Sequence, residues 1–135
     1  MIKNTWVNLP VKSLNDSVEF FEKLGFKFNK QFDATNMLLN DNTMVTLVEE
    51  PQFKEFAQKE VADTKTTAEA VLVLQIESKD AVNELVDKAI SLGAKETRDP
   101  HEHGPMFGRS FEDLDGHVWE VFFMNEDEMP KDNEC

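Results

Sequence analysis

The sequence predicts an α+β fold in which two βαβββ modules form a cup-shaped mixed sheet with helices on its outer face. One unit, consisting of an alternating apolar stretch, a serine, an amphipathic helix and a glycine, occurs twice about half a chain apart. The matching positions are Leu9 with Leu74, Val11 with Ile76, Ser13 with Ser78, Phe20 with Leu85, and Phe21 with Val86. Because neither half can cover both faces of its own sheet, each must pack against the other half or against a partner chain.

The first module begins with a strand and a helix. Thr5 to Val11 alternates apolar and polar residues, which predicts a half-buried strand, and Pro10 places it at an edge or near its end. Ser13 is expected to cap a helix over residues 14–24, which Gly25 ends.

Three short strands and a helix are expected in the rest of the first half. The strands are Phe26 to Phe32, Asn36 to Leu39, and Thr43 to Val48. Asp41 and Asn42 form a plausible turn between the last two strands. Residues 51–60 predict a short helix or lid, and residues 61–69 a mobile linker.

The second module repeats this order. A strand over residues 71–77 precedes a helix over 79–92, whose core stripe is expected to contain Val82, Leu85, Val86, Ala89 and Ile90. A short strand over 94–97 and a loop over 99–105 come next. Strands over 106–112 and 117–124 follow, joined by a turn in which Gly116 takes a positive φ.

These boundaries predict one domain over residues 1–124, with halves of about 1–60 and 69–124. Residues 125–135 form a charged tail that is expected to be flexible.

Composition limits the classes of partner. Fourteen basic residues against 27 acidic ones give a formal net charge of −13, which disfavours nucleic acids and anionic membranes. The chain has no apolar run of the ~18 residues that a membrane span requires. The N-terminus carries no apolar signal segment, and Cys135 is the only cysteine, so we expect a cytoplasmic protein.

Two segments carry a family resemblance. The first is V-N-L-P-V-K-S-L-N-D-S-V-E-F-F-E-K-L-G-F, from Val7, and the second is F-E-D-L-D-G-H-V-W-E-V, from Phe111. With the half-chain repeat, they resemble the vicinal oxygen chelate superfamily, which includes glyoxalase I, extradiol dioxygenases, fosfomycin-resistance proteins and bleomycin-binding proteins. The chain is most similar to small bacterial glyoxalase-like proteins. The resemblance implies a homodimer and a cup that binds a small molecule.

In the metal-using members, the resemblance implies one divalent ion held by His and Glu side chains from four strand positions. Glu120 matches the terminal Glu of that set. The other three positions carry Trp6, Thr46 and Val71, of which Trp6 and Val71 have no ligand atom typical of such a site. A metal-free cup is therefore favoured, although a divalent metal bound by Glu120 with His101 and His103 remains open.

Several residues are candidates for binding a ligand in the cup. Alternation along the last strand places Glu120 with Phe122, and a carboxylate in apolar surroundings is costly without a partner. Arg109 could bind a carboxylate, or it could hold the hairpin by pairing with Glu112 or Asp113. Trp6 and Asn8, with neighbouring aromatic residues, could stack a planar or cationic ligand or simply fill the core.

The leading hypothesis is therefore metal-independent binding of a small organic compound, such as sequestration of a cationic or aromatic molecule. The cup positions expected to contact it are Trp6, Asn8, Thr46, Val71, Arg109, Glu120 and Phe122. The alternative is a divalent-metal-dependent lyase or dioxygenase that uses Glu120 and nearby histidines. The sequence alone does not decide between a binding protein and an enzyme.

Overall fold

The computed structural model describes residues 1–31 and 34–128. In chain order, the elements are β1 (Thr5–Val11), α1 (Leu14–Leu24), β2 (Lys27–Gln31), β3 (Ala34–Asn40), β4 (Thr43–Glu49), α2 (Glu50–Ala57), β5 (Val71–Gln75), α3 (Lys79–Ser91), β6 (Lys95–Glu96), β7 (His101–His103), β8 (Met106–Glu112) and β9 (Val118–Met124), then a 3₁₀ turn at Glu126–Glu128. The predicted α+β class is confirmed, and the element order agrees with two successive βαβββ modules, with β7 as an additional short strand in the second. Within the described ranges, no helix is long and apolar enough to cross a membrane.

The chain divides into two compact units, Met1–Thr67 and Ala68–Cys135. The sheet of the first unit has the strand order β1-β4-β3-β2, in which β1 runs parallel to β4 and the other pairs are antiparallel. Pro10 therefore lies on an edge strand, as expected. The core of this unit contains Leu9, Val11, Val18, Phe20, Phe21, Met37, Val45, Leu47 and Val48.

The second unit has the strand order β5-β9-β8-β6, with β7 pairing alongside β8. β5 runs parallel to β9, and the other pairs are antiparallel. Helix α3 packs against β8 and β9. The rings of Phe111 in β8 and Trp119 in β9 stack on each other, with centroids 6.4 Å apart and planes inclined by 7°.

The two modules use the same signals to begin and end their first helices. The Ser13 Oγ accepts a hydrogen bond from the amide of Asp16 at 3.2 Å, and the Ser78 Oγ accepts one from the amide of Ala81 at 3.0 Å. Gly25 has φ +104° and Gly93 has φ +111°, conformations that side chains disfavour. Local chemistry therefore fixes the boundaries of both helices.

Two expectations for the second half are wrong. His101–His103 forms a strand that pairs with β8, in place of the expected loop. Ile90 is 38% exposed and lies outside the core stripe of α3, which consists of Val82, Val86 and Ala89. The expected strand end at Phe32 and most of the expected tail lie outside the described residues.

Candidate functional site around Glu120

The second sheet has one face that is covered by a helix and one that carries Glu120. On β9, Trp119 and Val121 are fully buried toward α3, whereas Glu120 and Phe122 are half-buried on the opposite face. Glu120 pairs with Val73 of β5 on one side and with Ser110 of β8 on the other. Because paired residues of adjacent strands share a face, we call this surface the Glu120 face; it comprises Val71, Val73, Gln75, Gly108, Ser110, Val118, Glu120 and Phe122.

Three polar side chains meet on this face. The Glu120 Oε1 lies 3.1 Å from the His101 Nε2 and 3.2 Å from the Arg98 Nη2. The Arg98 Nη2 in turn lies 3.1 Å from the His101 Nε2. The side chains of Glu120 and His101 are 24% and 14% exposed, and that of Arg98 is 57% exposed. We call this arrangement the Arg98–His101–Glu120 cluster.

Gly108 is the reason that the imidazole can reach Glu120. His101 of β7 pairs with Gly108 of β8, and the ring lies across the glycine. A Cβ atom at position 108 would lie only 2.8 Å from the His101 Nε2 and 2.9 Å from its Cε1. Gly108 was not among the predicted site residues, although a glycine inside a strand is a signal for close approach by another group.

Two polar atoms near the cluster are buried without a hydrogen-bond partner in the described part of the chain. They are the His101 Nδ1 and the Ser110 Oγ. The His103 ring lies beside that of His101, with centroids 5.8 Å apart, but it is exposed. The cluster is therefore polar on its buried side as well as on its solvent side.

The donor atoms do not fit a resident transition metal. Among residues 1–31 and 34–128, no group of three or more His, Cys, Asp or Glu side chains could hold an ion. A mononuclear catalytic site usually needs about three protein ligands. The Thr46 hydroxyl already donates a 2.6 Å hydrogen bond to the Asn36 Oδ1.

The structure groups the predicted site residues on two separate sheets. In the first unit, Trp6, Asn8 and Thr46 share one face, because Asn8 pairs with Thr46 and follows Trp6 by two positions. Trp6 is 54% exposed there. In the second unit, Val71, Glu120 and Phe122 share the Glu120 face.

Arg109 lies on the opposite face, against α3. Its Nε donates to the Glu96 Oε2 at 2.9 Å, and its Nη1 donates to the Asn83 Oδ1 at 3.0 Å and the Asp87 Oδ1 at 2.9 Å. The hydrogen bond to Glu96 raises the pKa of the buried guanidinium, and burial opposes this change. Arg109 therefore connects β8 to α3 and β6 and is separate from the Glu120 face. Its partners are Asn83, Asp87 and Glu96 in place of the expected Glu112 and Asp113.

Replacing Arg109 by Met is expected to lower the free energy of unfolding by about 2 kcal/mol, because three charge-assisted hydrogen bonds are lost. Urea denaturation measures the change. Lys88→Met, which removes an exposed charge from α3, serves as the control and is expected to have little effect. Equal losses in the two variants would contradict this structural role for Arg109.

The D-L-D-G-H segment forms a turn around a buried carboxylate. The Asp113 Oδ1 accepts hydrogen bonds from the amides of Asp115 and His117, and its Oδ2 accepts one from the Trp119 Nε1 at 3.0 Å. Burial raises the pKa of Asp113, an effect that these bonds and His117 oppose. The His117 Nδ1 lies 2.7 Å from the Glu69 Oε1. The side chains of Asp113 and His117 therefore have a structural role in the turn between β8 and β9.

The family model described as the Glyoxalase/Bleomycin resistance protein/Dioxygenase superfamily matches residues 4–121. No curated protein matches the chain.

Solved structures show the same fold. A hypothetical protein from S. aureus is 28% identical, with a TM-score of 0.81 over 91% of this chain and 95% of the other. A glyoxalase/bleomycin resistance protein/dioxygenase family enzyme from Burkholderia phytofirmans PsJN is 17% identical, with a TM-score of 0.74 over 88% and 96% of the two chains. A genomically encoded fosfomycin resistance protein from Listeria monocytogenes is 18% identical, with a TM-score of 0.65 over 90% and 93%.

Proposed function

Because this chain belongs to the glyoxalase/bleomycin resistance protein/dioxygenase superfamily, we propose that its Glu120 face binds a small organic ligand without a metal. The observation that carries the proposal is a partly exposed carboxylate whose position is fixed by the chain's own Arg98 and His101. A charge held in place in this way is ready to bind without an added ion.

The surroundings of Glu120 indicate the chemistry of the ligand. Arg98 and His101 both contact Oε1, so Oε2 can accept a hydrogen bond from a ligand. Phe122 and the exposed Val73 offer apolar contact on either side. The net charge of −13 favours the approach of a cation. The best match is an aromatic compound that carries a cationic or hydrogen-bond-donating group, and sequestration is one consequence of such binding.

The proposal is tested by a thermal-shift screen of cationic aromatic compounds in the presence of EDTA, followed by calorimetric titration of the hits. A ligand that binds the folded chain raises its melting temperature. We expect Glu120→Gln to weaken binding by about tenfold or more, because a charge-assisted hydrogen bond is lost. Glu84→Gln, which removes an exposed carboxylate from α3, is the matched control and is expected to bind normally.

Two results would contradict this proposal. One is a broad screen that produces no stabilisation at all. The other is a ligand whose affinity falls equally in the Glu120 and Glu84 variants, since binding would then depend on overall charge.

A metal-dependent lyase or dioxygenase is the second candidate, and the proximity of His101 to Glu120 favours it. Elemental analysis of untagged protein after incubation with Ni²⁺, Zn²⁺, Mn²⁺ or Fe²⁺ and desalting distinguishes the two. Close to one retained ion per chain, lost in Glu120→Gln, would favour the enzyme.

The proposal also includes a cytoplasmic homodimer. β5 is an edge strand of its sheet, and its Val71 and Val73 side chains are exposed. Pairing of two chains is one way to cover such an edge. Light scattering coupled to size-exclusion chromatography measures the mass directly.

A further inference from the structure

We infer that the Arg98 guanidinium is the resident cation of the Glu120 face, in the place that a divalent ion would need between Glu120 and His101. Its Nη2 lies 3.2 Å from the Glu120 Oε1 and 3.1 Å from the His101 Nε2. A carboxylate oxygen and an imidazole nitrogen are the atoms that bind transition metals in proteins. Here both converge on a positive charge that the chain itself supplies.

The protons of the cluster show that Arg98 is held by more than ordinary hydrogen bonding. Three atoms lie within 3.2 Å of one another, but a guanidinium only donates and a carboxylate only accepts. If the His101 Nε2 carries a proton, it donates to Glu120 and faces a second donor on Arg98. If it carries none, it accepts from Arg98 and faces a second acceptor on Glu120. One of the three contacts is therefore always mismatched, and the attraction between Arg98 and Glu120 holds the group together.

The histidine is fixed in this position independently of Arg98. Its ring lies against Gly108, and it is mostly buried. Glu120 is fixed by its place in the central strand β9. Removing the arginine side chain therefore leaves the imidazole and the carboxylate about where a metal ion requires them.

Arg98 is also the exposed member of the cluster. It belongs to the segment between β6 and β7, and more than half of its side chain is in solvent. An exposed ion pair contributes little to stability, so loss of Arg98 is expected to leave the fold intact. A positive charge within hydrogen-bond distance of both ligand atoms does, however, repel a divalent ion that would have to lie between the Glu120 Oε1 and the His101 Nε2.

The test is a Co²⁺ titration of the full, untagged chain, followed by its visible absorption. We expect Arg98→Ala to bind Co²⁺ about tenfold or more tightly than the wild type, because the competing charge has been removed. Arg98→Ala/His101→Gln is expected to lose this gain, since one of the two ligand atoms is absent. Lys88→Ala, which removes an exposed positive charge from α3, serves as the control for net charge.

Two outcomes would overturn the assignment. The wild type could bind Co²⁺ as tightly as Arg98→Ala, or Arg98→Ala could show no gain over Lys88→Ala. Far-UV circular dichroism verifies that each variant is folded, and Arg98→Gln replaces Arg98→Ala if the alanine variant is not. The ligand proposal is decided separately by the titrations in EDTA, in which no free metal is present.

Discussion

Asp113→Ala is expected to lower the free energy of unfolding by about 3–5 kcal/mol, because several buried donors lose their acceptor at once. The amide of His117 and the indole of Trp119 both donate to this carboxylate in the interior of the second unit. Neither donor can turn to solvent, since the amide is part of the turn and the indole is part of the core. Urea denaturation gives the magnitude.

Asp113→Asn separates the contribution of the indole. The amide oxygen can still accept from the backbone, but its NH₂ group then faces the Trp119 Nε1, which is also a donor. We expect about half of the loss seen for alanine. In a Trp119→Phe background, where no indole proton remains, the cost of Asp113→Asn should be smaller. Equal costs in the two backgrounds would show that this hydrogen bond contributes nothing. Asp41→Asn, in the exposed turn between β3 and β4, is the control.

Because the pKa of Asp113 is raised, the difference in free energy of unfolding between the wild type and Asp113→Asn depends on pH. Because burial raises the pKa, the folded chain binds the proton more tightly than the unfolded chain does. This contribution to stability is complete below the ordinary aspartate pKa and is lost as the pH rises through the raised value. The free energy of unfolding of the wild type, measured relative to Asp113→Asn, should therefore fall across that interval and then become constant. A rise over the same interval would contradict the direction of the shift.

Gly108→Ala is expected to displace the His101 ring and to weaken ligand binding about tenfold or more, and we expect the same of His101→Ala. The added methyl group would come within 2.8 Å of the His101 Nε2, and we expect the ring to move to relieve this contact. Overpacking of this kind is expected to lower the free energy of unfolding by about 1–2 kcal/mol. Melting curves and calorimetric titration measure the two effects.

A double-mutant cycle identifies the cause. In His101→Ala protein the ring is absent, so adding Gly108→Ala should cost almost nothing further in stability or affinity. If Gly108→Ala destabilises the chain equally in both backgrounds, backbone strain in β8 is responsible and the contact with His101 is not. If Gly108→Ala instead costs almost nothing in the His101→Ala background, the glycine is present to make room for the histidine.

Much of the fold could be predicted from local sequence signals. Ser13 and Ser78 cap helices whose first turns they precede directly, and Gly25 adopts the left-handed conformation that ends a helix. The two-residue turn at Asp41 and Asn42 connects paired strands. Each of these features depends on neighbouring residues alone, so the sequence is sufficient to locate it.

The site was harder to predict because its members come from different parts of the chain. Glu120 could be identified by its position in β9, and His101 was considered with it. Arg98 was not considered, because its segment reaches Glu120 only when β7 pairs with β8. The strand β7 has only three residues, too few for an alternating pattern to be visible. Asp113 was considered only as a partner of Arg109, since its actual partner Trp119 lies beyond the turn and is recognised only once the hairpin is closed.

The parallel pairing of β5 with β9 has a consequence for how the chain is made. In the first unit, β1 likewise pairs with the last strand, β4, but all pairings of that sheet are complete before the second unit begins. In the second unit, β5 is made first and must wait for β9, the last strand, before its backbone can pair. On the ribosome, β5 therefore emerges with exposed Val71 and Val73 and no neighbour in its own sheet. A nascent chain that stops before Val118 leaves this strand unpaired, so translation of the final strand sets the earliest moment at which the Glu120 face can exist.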